Sequence, residues 1–109
     1  MKRKAIPDDV RARVEEIVDG FNRRTFRGGE CRYLVRFQGK HFYLDRVDYG
    51  RCGPICRLTY TGSMSKWDFA IFKWSSETYD QHEWLFPGSE HVDGTVEGAM
   101  KAGLEAYAP

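Results

Sequence analysis

Apolar residues recur between residues 6 and 24 at the spacing of an amphipathic helix. Four of them follow one another at intervals of four, three and four residues, so they share one helical face: Val10, Val14, Ile17 and Phe21. Pro7 suits the first helical position, where its missing N–H is not needed. The pattern predicts an N-terminal helix that packs its stripe on another element and ends at the paired glycines of residues 27–30.

Residues 31–47 alternate between apolar and polar positions around Gly39-Lys40. If these two residues form a hairpin turn with glycine at its first central position, Phe37 lies opposite Phe42. Directly opposed residues share a face, so one side of the hairpin is mostly apolar. The outer side then carries Arg32, Leu34, Arg36, Gln38, His41, Tyr43, Asp45 and Val47. This division favours antiparallel pairing.

Further strands are predicted downstream. Residues 55–61 alternate again, with Cys56 on the inner side, whereas residues 67–74 are apolar on both sides. A strand that is apolar on both sides is typically covered on both faces. The remaining segments are interpreted as a turn-rich connection at residues 49–54, a polar loop at residues 75–83, and a short fifth strand or anchored loop at residues 84–88.

A second helix is predicted in the segment 93–109. Asp93 or Thr95 can accept hydrogen bonds from its first backbone N–H groups. The apolar stripe consists of Val96, Met100, Leu104 and Tyr107. Gly98 and Gly103 each cost about 1 kcal/mol relative to alanine inside a helix. Their presence predicts a close backbone approach to a neighbouring element.

The order of these elements predicts one α+β domain over residues 1–109, in which an N-terminal helix, an antiparallel meander of four to five strands and a C-terminal helix follow one another. Residues 1–5 are expected to be a flexible basic tail. Two arrangements fit the pattern. Either one helix covers each face of the sheet, or both helices share one face. The second would expose Ala70, Phe72 and Trp74 and favour a homodimer.

Composition and charge indicate the size of the core, the expected cellular location and the distribution of charge over the surface. Its 109 residues suffice for one hydrophobic core. No segment has the pattern of a membrane span or a signal peptide, so a cytoplasmic location is expected, with the cysteines as free thiols. Residues 1–40 hold eleven basic against six acidic residues, and residues 75–109 hold one against seven. Such asymmetry indicates a basic face or two oppositely charged elements packed together.

The cysteines do not form a metal signature. Cys52 and Cys56 are four positions apart, but a structural zinc ion needs four ligands. The hairpin register places Cys31 and His41 on opposite faces, so they cannot complete a site. Residues 52–56 also lack the C-x-x-C spacing of thioredoxin-like redox sites. We therefore predict no metal site and no cofactor.

The histidines offer one alternative. His82 and His91 lie among acidic residues, and this region would serve a small metal-dependent enzyme if the side chains converged. No nucleophile elbow, metalloprotease motif or phosphate-binding loop is present in the sequence. We therefore predict no catalytic residue, and we expect a protein that is not an enzyme.

The binding candidates are basic and aromatic. Arg32, Arg36 and Tyr43 share the outer hairpin face, and arginines interleaved with aromatic rings on a sheet can bind nucleic acid. A net charge of only +1 disfavours that alternative. Trp84 is a candidate anchor for a protein partner. With 15% aromatic residues and no reactive motif, we expect a non-catalytic protein–protein interaction module, with a homodimer as one form.

The C-terminal part of the chain resembles a group of small bacterial proteins of unknown function. The shared features are an aromatic strand followed by a Tyr-containing loop ("KWDFAIFKWSSETYD"), a Phe-Pro turn ("WLFPG") and a small-residue helix ("DGTVEGAMKAGLEAYAP"). The resemblance covers residues 66–109. It implies a bacterial cytosolic setting and assigns no role to any residue.

Overall fold

The computed structural model describes residues 5–109. The predicted basic tail, residues 1–5, therefore lies outside the described residues except for Ala5. The expected α+β fold, with two helices around an antiparallel meander, is confirmed. In chain order the elements are α1 (Asp8–Thr25), β1 (Cys31–Gln38), β2 (His41–Asp48), β3 (Arg51–Thr59), β4 (Asp68–Lys73), β5 (Thr78–Asp80), a 3₁₀ turn (Ser89–His91) and α2 (Val96–Ala106).

The five strands form one antiparallel sheet in the order β1-β2-β3-β4-β5. The predicted register of the first hairpin is confirmed, since Phe37 lies opposite Phe42 and Val35 lies opposite Leu44. Gly39 has a φ of 62°, which a glycine adopts without strain at the first central position of this turn. The turn and the alternation of side chains together fix which residues face the core.

The prediction of a turn-rich connection over residues 49–54 is wrong, because β3 already begins at Arg51. Tyr49 and Gly50 alone form the turn, with φ values of 53° and 88°, as a two-residue hairpin with a left-handed backbone requires. A bulge follows, in which Ile55 is the extra residue between two paired positions. The bulge preserves the inward orientation of Cys56, which is fully buried as predicted.

The fifth strand lies in a segment that we predicted to be a polar loop. Tyr79 of β5 is paired with Phe72 of β4, and their ring centroids are 5.1 Å apart. Residues 84–88, the alternative position for a fifth strand, form no strand. The contacts of the Tyr79 ring thus hold a strand of three residues whose flanking residues are polar.

Both helices lie on the same face of the sheet and contact each other. Helix α1 begins at Asp8, one residue later than predicted, and Thr95 caps α2 by accepting a hydrogen bond from Gly98 N at 2.9 Å. Arg24 and Glu97 join the helices by an exposed ion pair at 2.6 Å, so oppositely charged elements do pack together. No described helix is long and apolar enough to span a lipid bilayer.

The second face of the sheet carries no helix, and we call it the open face. The expectation that Ala70 and Phe72 would be exposed there is wrong, because both are buried. Tyrosine and arginine side chains from neighbouring strands cover this face, and the Tyr79 ring lies 5.1 Å from the Tyr43 ring. Trp74, beyond the end of β4, does remain exposed.

Candidate functional site

A buried arginine joins the sheet to the end of α2. Arg46 is only 1% exposed. Its Nε donates to both carboxylate oxygens of Asp48, at 2.8 and 3.0 Å, and its Nη1 donates to Gly103 O at 3.3 Å. Its Nη2 donates to Tyr107 O. Burial opposes the charge of Arg46, but the hydrogen bonds to Asp48 and Tyr33 outweigh burial and raise its pKa. These bonds position Tyr107 and the chain that follows α2.

Arg46 also forms the floor of a cleft of about 600 Å³. The walls come from the start of β3, including Arg51 and Cys52, and from Trp74 and Tyr107. Tyr49, 68% exposed, stands at the rim. The volume falls in the range of roughly 300–1,000 Å³ found for ligand-binding clefts, which are also mostly apolar with a few placed polar groups.

A second cleft, of about 390 Å³, lies on the other side of Trp74 and Tyr107. Leu85 lines it and is 94% exposed. The loop carrying Leu85 is held by Glu83, which accepts hydrogen bonds from Lys73 Nζ and from Leu85 N, each at 2.9 Å. The hydrogen bond from Lys73 is the largest cause of the lowered pKa of Glu83. The exposed leucine is therefore presented by a fixed loop.

Tyr49, Trp74 and Leu85 are three of the four large hydrophobic residues that are exposed in the described part of the chain. They line two clefts that meet at Trp74 and Tyr107, and we call this surface the Trp74 strip. The Trp74 indole lies beside Gly53, where an added Cβ would make an ordinary contact of 3.6 Å with indole Cζ2, and its ring centroid lies 5.0 Å from that of Phe72. The strip combines residues from three connections that are far apart in sequence.

The predicted residues of the outer hairpin face do come together in part. The Arg36 guanidinium lies 4.7 Å from the centroid of the Tyr43 ring, and the same guanidinium binds Asp45 at 2.6 and 3.2 Å. Arg32 is exposed on the same face, toward its other end. Sequence analysis missed Arg57, which lies directly opposite Tyr43. The alternation of residues 56–59, in which Cys56 and Leu58 are buried and Arg57 and Thr59 are not, was the signal that could have identified it.

Trp84 is not part of the Trp74 strip. It is 48% exposed, its ring centroid is 6.2 Å from that of Phe69, and it lines a different cleft together with His82. Leu85, the next residue, takes the exposed position in the strip. The apolar run at residues 84–87 indicated this loop, but no local pattern distinguishes Trp84 from Leu85.

The two histidines of the enzyme alternative lie in different surroundings. His91 Nε2 is 2.5 Å from Glu105 Oε2 and 3.9 Å from Glu90 Oε2. These three residues are the one group in the described chain whose side chains could jointly hold a metal ion, and His82 is not among them. The geometry accounts for His91 and Glu105 as a hydrogen-bonded pair that joins the 3₁₀ turn to α2.

The cysteines are free thiols in two kinds of environment. Cys31 and Cys56 are buried, whereas Cys52 is exposed. Burial raises the pKa of Cys56, which keeps its thiol protonated at neutral pH. Cys52 also lines the larger cleft, so it is the thiol best placed to report on that cleft.

Comparisons with known proteins identify no relative. No family model, no curated protein and no solved structure matches the chain. The resemblance to small bacterial proteins accordingly stays a prediction. Function is inferred below from the geometry of the Trp74 strip and of the open face.

Proposed function

We propose that this chain is a non-catalytic protein-binding module whose Trp74 strip takes up a segment of a partner protein. The observation that carries the proposal is the convergence of Tyr49, Trp74 and Leu85 on two adjoining clefts. Contiguous exposed apolar patches on soluble domains mark interaction sites. Tryptophan and tyrosine are also the residues that most often anchor protein interfaces.

The energetics favour covering this strip. Each apolar Å² removed from water stabilises a complex by about 25 cal/mol, and the side chains that would be covered are already held in place. The Trp74 ring packs against the Phe72 ring, with centroids 5.0 Å apart, and Glu83 fixes the loop that carries Leu85. Such preorganisation reduces the entropy lost on binding.

The charges of the strip define the chemistry of the partner segment. Arg46 is paired with Asp48, and Lys73 is paired with Glu83. Arg51, at the larger cleft, has no ion pair within residues 5–109. A segment that combines apolar side chains with an acidic one complements this surface, because its carboxylate can pair with Arg51 while its apolar groups enter the clefts.

Selection from a displayed library of random peptides tests the proposal. We expect the wild-type chain to enrich peptides that combine aromatic or leucine residues with Asp or Glu. Trp74→Ala should weaken binding of the enriched peptides at least about tenfold, the effect of losing an anchor residue. Trp84→Ala is the matched control, because it removes a similarly exposed indole outside the strip. Equal loss in both variants, or no enrichment, would contradict the proposal.

A second candidate function is binding of single-stranded nucleic acid on the open face. The observation that favours it is the row Arg36, Tyr43 and Arg57, which lie directly opposite one another on three strands. Arg57 also lies 5.8 Å from the centroid of the Tyr79 ring. Guanidinium planes and tyrosine rings are groups on which bases stack. Asp45 neutralises Arg36, which leaves Arg32 and Arg57 as the phosphate contacts.

Fluorescence anisotropy with a labelled oligonucleotide tests this second candidate. Binding should weaken steeply with salt, and Arg57→Ala should reduce the slope of log affinity against log salt by about 1. Arg13→Ala, on the exposed side of α1, is the control that should leave the slope unchanged. Absence of binding at low salt would exclude the open face as a nucleic-acid surface.

A further inference from the structure

We infer that the partner covering the Trp74 strip is a second copy of this chain, in a two-fold symmetric dimer. The inference rests on the proposed protein-binding function and names its occupant. In a two-fold interface the same patch serves both subunits, so each contact between two different residues occurs twice. A surface suited to such pairing must complement itself when it is turned end to end. The Trp74 strip meets that requirement in shape and in charge.

The shape argument starts from the two ends of the strip. One end carries Leu85, which projects with 94% of its surface exposed. The other end is the cleft of about 600 Å³ beneath Tyr49, and Trp74 lies between them. A two-fold axis that crosses the strip beside Trp74 exchanges its ends. The Leu85 side chain of each copy then enters the larger cleft of the other, and both indoles become covered.

The charges at the two ends of the strip also favour end-to-end pairing. Among the side chains that line the larger cleft, Arg46 and Arg51 stand against one carboxylate, that of Asp48. At the Leu85 end, Lys73 Nζ lies 2.9 Å from Glu83, which lines the same cleft, and 3.9 Å from Asp80, which lies next to that cleft without lining it. One end therefore carries an excess positive charge and the other an excess negative charge. End-to-end pairing brings Arg51 of one copy toward Asp80 and Glu83 of the other, and it separates the like charges.

The small size of the exposed apolar surface limits the strength of the association. A strip of three exposed hydrophobic residues is smaller than the roughly 800 Å² per partner that typical stable complexes bury. We therefore expect a dimer that dissociates on dilution into the micromolar range. Each monomer keeps its own core, because the two helices already cover the apolar face of the sheet.

Sedimentation equilibrium of the full chain, from about 1 μM to about 1 mM, tests the inference. The average mass should rise from one chain to about two across this range. Leu85→Ser should raise the dissociation constant at least about tenfold without unfolding the monomer, because the leucine side chain is almost fully exposed. Trp84→Ser, at the neighbouring position outside the strip, should change the dissociation constant less than about twofold.

Charge reversal adds a readout that tests the end-to-end orientation. Arg51→Glu and Asp80→Arg should each weaken self-association, because each creates like charges across both copies of the contact. An equimolar mixture of the two variants should restore association, since the heterodimer has opposite charges at both contacts. Arg32→Glu, a reversal of another exposed strand arginine outside the strip, should leave self-association unchanged.

The possible failures are distinguishable. A chain that stays monomeric at about 1 mM overturns the second-copy inference, while peptide selection with Trp74→Ala still decides whether the strip binds protein. A dimer that is insensitive to Leu85→Ser and Arg51→Glu also overturns it, because such a dimer uses another surface. A dimer weakened by both variants but not restored by mixing the charge-reversed chains overturns the end-to-end orientation.

Discussion

Arg46 shows how one charged residue is accommodated on the covered face of the sheet. Taking a guanidinium out of water costs several kcal/mol, and the cost is offset when its N–H groups all find acceptors. Asp48 supplies two acceptor oxygens, and the carbonyls of Gly103 and Tyr107 supply two more. These carbonyls lie at the end of α2, where a cation also interacts favourably with the helix dipole.

We predict that Arg46→Ala lowers the free energy of unfolding by about 3–5 kcal/mol, because it leaves Asp48 and the Tyr107 carbonyl without their donor and removes one of the two donors to the Gly103 carbonyl. Urea denaturation measures the change. Arg32→Ala, an exposed arginine on the neighbouring strand, should change it by less than about 0.5 kcal/mol. Similar values for the two variants would show that the Arg46 network does not hold α2 to the sheet.

Tyr33 lies beneath α2, where its hydroxyl donates to Met100 O at 2.7 Å. Burial raises the pKa of Tyr33 above its ordinary value. Because the folded pKa exceeds the unfolded value of about 10, the contribution of this proton to stability is complete below pH about 10. It is lost as pH rises above that value. Burial raises the pKa of Cys56 in the same direction, with loss beginning above pH about 8.5.

We predict that Tyr33→Phe costs about 1 kcal/mol at neutral pH, through the lost hydrogen bond. The difference between the wild type and the variant should shrink as pH rises above about 10, because only the wild type must keep this phenol protonated. Urea denaturation at a series of pH values measures it. The contribution of Cys56 is common to both proteins and cancels. A constant difference at all pH values would contradict the assignment of the proton to Tyr33.

At the scale of elements, the two helices use glycine differently. A Cβ at Gly103 of α2 would lie 2.5 Å from Tyr33 Oη and 2.6 Å from Ile55 Cγ2. A Cβ at Gly20 of α1 would approach Arg24 Nη1 at 3.1 Å, the end of a flexible side chain. Gly103 is therefore required by the packing of α2 on the sheet, whereas Gly20 is not.

We predict opposite effects for the two glycine-to-alanine substitutions. Gly20→Ala should stabilise the protein by up to about 1 kcal/mol, the difference in helix propensity. Gly103→Ala should destabilise it, because an overpacking cost of about 1–3 kcal/mol exceeds the same propensity gain. Thermal unfolding of both variants provides the comparison, and a stabilising Gly103→Ala would show that α2 does not approach the sheet closely.

The elements differ in how far their sequences predict them. The β1–β2 register follows from the alternation around Gly39, because the side-chain period and the turn act over a few residues. The hairpin at Tyr49-Gly50 was misplaced, since Gly53 and Pro54 suggest a turn while they in fact lie within β3. Strand β5 was missed because Tyr79 is the one large aromatic residue of a polar segment, and its ring partners Phe72 and Tyr43 lie on other strands.

At the scale of the whole molecule, the reactivity of the thiols should differ between the two buried cysteines and Cys52, which lines a cleft of the Trp74 strip. We predict that Cys52 alone reacts with iodoacetamide in the native protein, whereas Cys31 and Cys56 react after unfolding. Because Cys52 lines the larger cleft, its rate should fall as protein concentration rises and the second copy covers the cleft. Mass spectrometry of the labelled chain measures which cysteines have reacted and the rate at Cys52.

Leu85→Ser is the control for this experiment, and the rate at Cys52 in that variant should stay independent of protein concentration. Rapid labelling of a second thiol in the native state would contradict the burial of Cys31 and Cys56. A wild-type rate that does not change with concentration would argue against covering of the cleft.

Sequence analysis placed the residues of the outer hairpin face correctly but did not identify the residues of the Trp74 strip. Arg36 and Tyr43 were placed side by side from the hairpin register, although the bond from Arg36 to Asp45 reduces the free charge that they offer. Trp84 was chosen as the exposed anchor, whereas the strip uses Trp74 and Leu85. Both tryptophans lie in aromatic segments, and exposure depends on which neighbours the fold places against each ring.

The sequence by itself determined the two amphipathic helices, the register of the first hairpin and the inward orientation of Cys56, because turn geometry and side-chain periodicity act between near neighbours. Tertiary structure decided that both helices share one face, that Arg46 is buried, and that Tyr49, Trp74 and Leu85 meet on one surface. Each of these outcomes depends on contacts between segments that are distant in the chain, and no local periodicity encodes such contacts.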